Sequence, residues 1–197
     1  NPPMTEVGKA AFLDAIKRGK GFIGAHSATD TFETNEPVGF NSNNRSQRYH
    51  NYGDKADPYI RMIGAEFVTH EKQQVAKVHV ADPKFPGMMQ QDFSLMEEWY
   101  SFADFSDNLH VLLALETEGM AGAAYQRPPY PSTWARMHGR GRVFYTAMGH
   151  REETWKNPLF QQMLFGGIAW AVRDVNADVT PNIRQVTPGY ATLPPQK

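Results

Sequence analysis

Cysteine is absent from all 197 residues. That excludes disulfides, a thiolate nucleophile and cysteine-based zinc sites together. It does not fix a compartment. Charge imbalance is missing too. A net charge of -1 offers nothing to draw in nucleic acid or an anionic membrane surface, so neither is expected as a partner. No apolar run reaches the roughly 18–20 residues of a bilayer-spanning helix. Residues 1–20 are polar and helical in character, unlike a signal peptide. No HExxH or other short pair of metal ligands occurs.

What is present suits one α/β domain. Apolar residues make up 41% and aromatics 12%, enough for a real core. The stretch TEVGKAAFLDAIKR (5–18) predicts a helix. Thr5 caps it, Val7, Ala11, Phe12, Ala15 and Ile16 form its apolar stripe, and Gly19 and Gly21 stop it. GFIGAH (21–26) reads as a short buried strand. DPYIRMIGAEF (57–67) reads as a short helix ending near Gly64. Strands follow at QVAKVHVAD (74–82), HVLLALE (110–116), STWARMHG (132–139) and GRVFYTAMGH (141–150). SLMEEWYSF (94–102) is a strand or turn carrying two acids. PLFQQMLFGGIAWAVRD (158–174) is a helix with Pro158 early in it. Residues 31–57, rich in Asn and Arg, are too long for an ordinary connection and read as an insert or lid. The domain is therefore expected over 1–180, with a Pro-rich tail at 181–197 that wraps the surface or hangs free.

Helices at both ends with buried strands between them argue for a layered α/β domain. In open sheets of this class, sites form beyond the carboxyl ends of strands. Two strands here end alike, in Gly24-Ala25-His26 and Gly149-His150. With His70 and Glu98 they make a candidate constellation. Imidazole and carboxylate suit a divalent metal, zinc first, and equally suit acid–base chemistry near neutrality. Spacing alone does not choose between these uses. His26, His70 and His150 are the candidate metal ligands. Each histidine taken singly also fits a structural hydrogen-bonding role. His50, His79, His110 and His138 are weaker candidates, with His79 and His110 expected to face solvent. Glu97 and Glu98 also fit a solvated acidic pair. Trp99, Tyr100 and Trp134 read as core first, and second as pocket walls on which a sugar ring could stack beside acids.

KGFIGAHSATD, MIGAEFVTH, MEEWYSF, HVLLALE, STWARMHGRGRVFYTAMGH and PLFQQMLFGGIAW together resemble the ThuA-like family, named for a trehalose-utilisation protein. The resemblance spans about residues 8–173. It implies the class I glutamine amidotransferase-like, flavodoxin-like fold: a three-layer α/β/α arrangement around a mainly parallel sheet. It also implies a first strand, a helix and a second strand ahead of TEVGKAAFLDAI. These the sequence does not contain, so a further strand would come from preceding sequence or from a separate chain. In the amidotransferases the strand-to-helix turn carries Gly-x-Cys, and a later His-x-Glu orients the catalytic histidine. The similar stretches here are Gly24-Ala25-His26 and His150-Arg151-Glu152. Histidine replaces the nucleophile, and imidazole substitutes poorly for a thiolate in amide hydrolysis, so glutaminase activity is not expected.

The resemblance implies a carbohydrate-related enzyme acting on a sugar or keto-sugar derivative by acid–base chemistry, with or without a divalent metal. His26, Glu98, His150 and Glu152 are the expected catalytic residues, Glu152 orienting the His150 ring. Asp30 would hold the lid or bind a hydroxyl. Relatives of this kind include exported proteins, so a periplasmic or secreted address accompanies the reading. The rival is a non-catalytic sugar-binding or assembly module, with the insert or tail meeting a partner chain or a second copy. A hydrolase using Ser27 is a third reading. It fails on position, since Ser27 stands one residue past the nucleophile slot.

Overall fold

A computed structural model describes residues 3–32, 34 and 48–196. The first helix, α1 (Glu6–Lys17), is capped by the Thr5 hydroxyl, which accepts from Gly8 N at 3.1 Å. It leads into β1 (Phe22–Ala25) and a 3-10 turn over His26–Asp30. Most of the insert expected at 31–57, namely residue 33 and residues 35–47, lies outside the described residues. Next comes α2 (Pro58–Ile63), opened by Asp57 and Pro58 and closed by Gly64 at φ 106°.

Seven strands follow: β2 (Glu66–His70), β3 (Gln74–Val80), β4 (Phe93–Glu97), β5 (Tyr100–Ala103), β6 (His110–Leu115), β7 (Tyr130–His138) and β8 (Gly141–Thr146). The chain then forms α3 (Glu152–Lys156), α4 (Pro158–Ala171) and α5 (Ile183–Val186). Sequence pattern alone ends the helix near Gly64 without assigning a strand to β2, and it assigns no element to α3. The tail does not hang free. It packs back, burying Ile183, Thr187 and Tyr190. No helix among the described residues is long and apolar enough to cross a membrane.

Six strands form one sheet in the order β1-β8-β7-β6-β3-β4, and β2 pairs with β5 in a separate ribbon. The expected mainly parallel sheet is not what forms. Among the described strands only β1 and β8 run parallel; β8–β7, β7–β6, β6–β3 and β3–β4 are antiparallel. The connections explain the difference. Parallel neighbours need a crossover, usually a helix. β7 and β8 instead meet through Gly139-Arg140, with His138 paired to Gly141. The β3–β4 and β6–β7 connections likewise carry no α-helix.

Neighbouring residues of β8 show how the layers assemble. Phe144 packs beneath Gly167 of α4 and beside Phe85. The next residue, Tyr145, points to the other face and packs on Trp134 and Phe102. There Trp134 Nε1 donates to Ile63 O at the end of α2. α4 therefore covers one face of the sheet, while α2 and the β2–β5 ribbon cover the other.

Candidate functional site

The parallel pair β1–β8 places the site. β1 and β8 run side by side, so His26, just past β1, and His150, just past β8, emerge at the same sheet end. Their rings are 5.1 Å apart between centroids. Glu98 enters from the two-residue connection between β4 and β5. Its Oε2 lies 3.2 Å from His26 Nε2 and 3.2 Å from His150 Nδ1. Within this trio one ligand atom from each residue lies within 4.8 Å of the others, a geometry that fits a single metal ion.

His26 is held in an unusual backbone state. Its φ is 43°, in the left-handed region that side chains other than glycine's rarely occupy. Strain of this kind at a sharp strand-to-helix turn thrusts a side chain into a site. The turn is pinned beneath. The Tyr145 hydroxyl donates to His26 O at 2.7 Å, and the Thr29 hydroxyl lies 3.0 Å from the Tyr145 oxygen. The ring's tautomer follows from its other contact, Nδ1 at 3.1 Å from Ala147 O. A carbonyl only accepts, so Nδ1 carries a proton and Nε2 is the atom turned toward Glu98.

The wall is aromatic. Tyr100 packs on the His26 ring at 3.9 Å and on Phe67 at 4.1 Å between centroids. Burial pushes the Tyr100 phenol well up, with the nearby charges of Asp30 and Glu98 acting in the same direction, so it stays a neutral group. Its backbone carbonyl accepts from the Tyr130 hydroxyl, and that of Trp99 from Tyr125, which anchors the Glu98 connection. His70, paired across the ribbon with Tyr100, reaches Glu98 Oε1 at 3.5 Å from the rim and bonds Glu71 O at 2.9 Å. It is a neighbour of Glu98 rather than a member of the trio, so the expected histidine triplet becomes two histidines and a glutamate. Asp30 closes the turn after His26 and pairs with Arg48 at 3.1 Å.

Two expected pocket walls are not walls. Trp99 and Trp134 are wholly buried, their indole N–H groups donating to Gln74 O and Ile63 O. Trp134 is core because both faces of the sheet at β7 are covered, and Trp99 because the connection after β4 turns its ring inward. His110 does not face solvent either. It is buried between Thr180 O and Asp82. Sequence reasoning misses Glu97. As half of a solvated acidic pair it would face water, yet it is 0% exposed and bonds Glu98 N, Gly149 N and the Thr154 hydroxyl. A signal for this is present: in β4, Phe93, Leu95 and Glu97 share the inward face while Ser94 and Met96 point out.

The match that decides kinship is to a family model, ThuA, described as trehalose utilisation, over residues 2–171. The chain belongs to the ThuA family. Solved structures agree on the fold. A ThuA-like protein from Bacteroides uniformis superposes with a TM-score of 0.61 at 20% identity, over 87% of this chain and 66% of that one. A ThuA-like protein from Parabacteroides merdae gives 0.55 at 18% identity, over 98% and 73%. A β-galactosidase from Rahnella sp. R3 gives 0.51 at 14% identity, over 83% of this chain and 20% of that one. The chain thus spans 66% of the length of the B. uniformis protein. No curated protein matches it. Within this ThuA chain the expected His150–Glu152 pairing does not form. Glu152 opens α3, and its carboxylate, 78% exposed, pairs with Lys156 one helical turn on.

Proposed function

We propose that this ThuA-family chain is a carbohydrate-active enzyme whose acid–base and metal-binding centre is His26, Glu98 and His150. One observation carries the reading. Two imidazole nitrogens stand 3.2 Å from the same Glu98 oxygen, His26 meeting it through Nε2 while its Nδ1 is taken by Ala147 O. Unprotonated nitrogens at that distance would repel the carboxylate oxygen, and a cation shared among the three groups removes the repulsion. A proton meets that need in an acid–base cycle; a divalent ion meets it in a metal centre. A donor set of two imidazoles and one carboxylate suits zinc and leaves a position open for substrate. Held by His26, Glu98 and His150, such an ion would supply Lewis-acid polarisation of a sugar carbonyl or hydroxyl oxygen.

The remaining roles belong to the chain itself. Glu98 and the two histidines orient the reacting oxygen. His70, part exposed on the rim and beside Glu98 Oε1, carries a proton between substrate and solvent. The neutral Tyr100 ring forms the floor against which a sugar face rests. The family description, trehalose utilisation, supports a carbohydrate as the substrate class, and we take a sugar or keto-sugar derivative as the candidate.

The test joins metal analysis to turnover. Zinc is expected at one ion per chain, with its anomalous scattering peak between the His26 and His150 rings. It should be lost, together with turnover of keto-sugar substrates, in His26→Ala and His150→Ala. Undiminished turnover in either variant would reject the assignment. Tight sugar binding that persists with no turnover in the native chain would favour a binding module instead.

A further inference from the structure

We infer that Glu97 is the positioning residue of this centre: one buried carboxylate whose two oxygens fix how far apart Glu98 and His150 stand. The inference rests on the reading of His26, Glu98 and His150 as a cation-binding centre. Glu97 Oε1 accepts from the Glu98 backbone N–H at 2.9 Å. Oε2 accepts from the Gly149 N–H at 3.0 Å and from the Thr154 hydroxyl at 2.8 Å. One oxygen thus holds the residue that supplies the carboxylate ligand. The other holds the residue just before the second histidine. The two oxygens of a carboxylate are separated by covalent geometry, so the two attachment points cannot drift apart.

The rest of the loop is set to match. Gly149 has a φ of 118°, open to glycine. Its carbonyl accepts from the Trp155 indole at 2.8 Å, so the Gly149 residue is gripped at both its N–H and its C=O. Thr154 is buried in α3, which ties the helix after His150 to the same carboxylate. No cation pairs with Glu97 among the described residues; its bonds there are these three donors. An acidic side chain this deep, with each donor leading to the site loops, is what outer partners of a metal centre look like. Glu97 itself touches neither substrate nor ion.

Substitutions separate its two ends. Glutamine has one acceptor oxygen and one donor group, so Glu97→Gln can keep the Glu98 side or the Gly149–Thr154 side, but not both. Thr154→Val removes one bond from the His150 side only, and Thr154→Ser restores it. Zinc affinity of the full chain, read by competition with a chromophoric chelator, should fall about 10–100-fold in Glu97→Gln and less in Thr154→Val. Thr154→Ser should bind like the native chain. Urea unfolding is measured alongside. Lower stability with unchanged zinc affinity in both variants would overturn the inference and leave Glu97 a core residue only.

A metal-free readout keeps the two readings apart. In the zinc-free chain, the contact between the His26 and His150 rings should be visible by histidine side-chain NMR and should weaken or vanish in folded Thr154→Val. If the native chain takes up no zinc but this signal behaves as stated, positioning stands and the metal reading falls. If the His150 signals are unmoved by Thr154→Val and by Glu97→Gln, positioning itself is wrong.

Discussion

Glu66, at the start of the strand that ends in His70, makes stability depend on pH in an uncommon direction. Its carboxyl is 2% exposed, with Oε1 accepting from Thr34 N at 2.7 Å and Oε2 without a hydrogen-bond partner among the described residues. Burial, reinforced by the Asp104 charge and opposed by Thr34 and Arg48, raises its pKa from 4.5 to about 7. Below pH 4.5 both folded and unfolded states hold the proton, so the favourable burial is fully present. Between 4.5 and about 7 the unfolded chain gives up its proton while the folded one keeps it, and stability falls by about 1.4 kcal/mol per pH unit. Above about pH 7 the loss is complete, at roughly 3 kcal/mol. Glu66→Gln has no proton to lose. Relative to the native chain it should gain little at pH 4.5 and up to roughly 3 kcal/mol at pH 8, discounted by any bond its amide group leaves unmade. With a urea slope of about 2–3 kcal/mol/M, the midpoint at pH 8 should rise by about 1 M. Urea titrations of both proteins across pH 4.5–8 measure the difference directly, and titrations shared by both chains cancel. A difference that stays constant across that range would refute the reasoning.

Other expectations follow from single contacts. His26→Gly relieves the φ of 43° while His26→Ala keeps it, so the glycine variant should be the more stable in thermal unfolding by roughly 1 kcal/mol, though both lose the centre. Trp134→Phe removes the bond to Ile63 O and some core volume; unfolding should cost about 1–3 kcal/mol less, and sugar binding, measured calorimetrically, should be unchanged because the Trp134 ring is wholly buried. Deleting residues 181–197 strips the tail's Tyr190 carbonyl from buried Arg127 and Asn182 from Val111. A loss of at least about 3 kcal/mol in urea unfolding is expected, and an unchanged midpoint would show that the tail is not part of the fold.

The residues that a reader of the sequence can find, and those it hides, divide along one physical line. His26 and His150 are legible because each ends an apolar strand at a glycine, and two such strands pairing in parallel must release their last residues at one edge. That inference needs only the direction of β1 and β8, and it holds although the rest of the sheet runs the other way. The remaining directions depend on how each connection is routed. A tight turn such as His138-Gly139-Arg140-Gly141 betrays a hairpin, while the longer loops after β3 and β6 carry no such mark. Partnership is harder still. Glu98 is legible as a candidate, but its bond to His26 crosses 72 positions of chain, and no local pattern reports what stands opposite a carboxylate. Glu152 shows the reverse error: two residues from His150 in sequence, it turns outward because α3 begins there and Lys156 completes its surface pair. Nearness along the chain promises an orienting group at Glu152. Nearness in space puts the buried acid at Glu97, where strand alternation turns one member of an acidic doublet inward and leaves the next to meet the histidines.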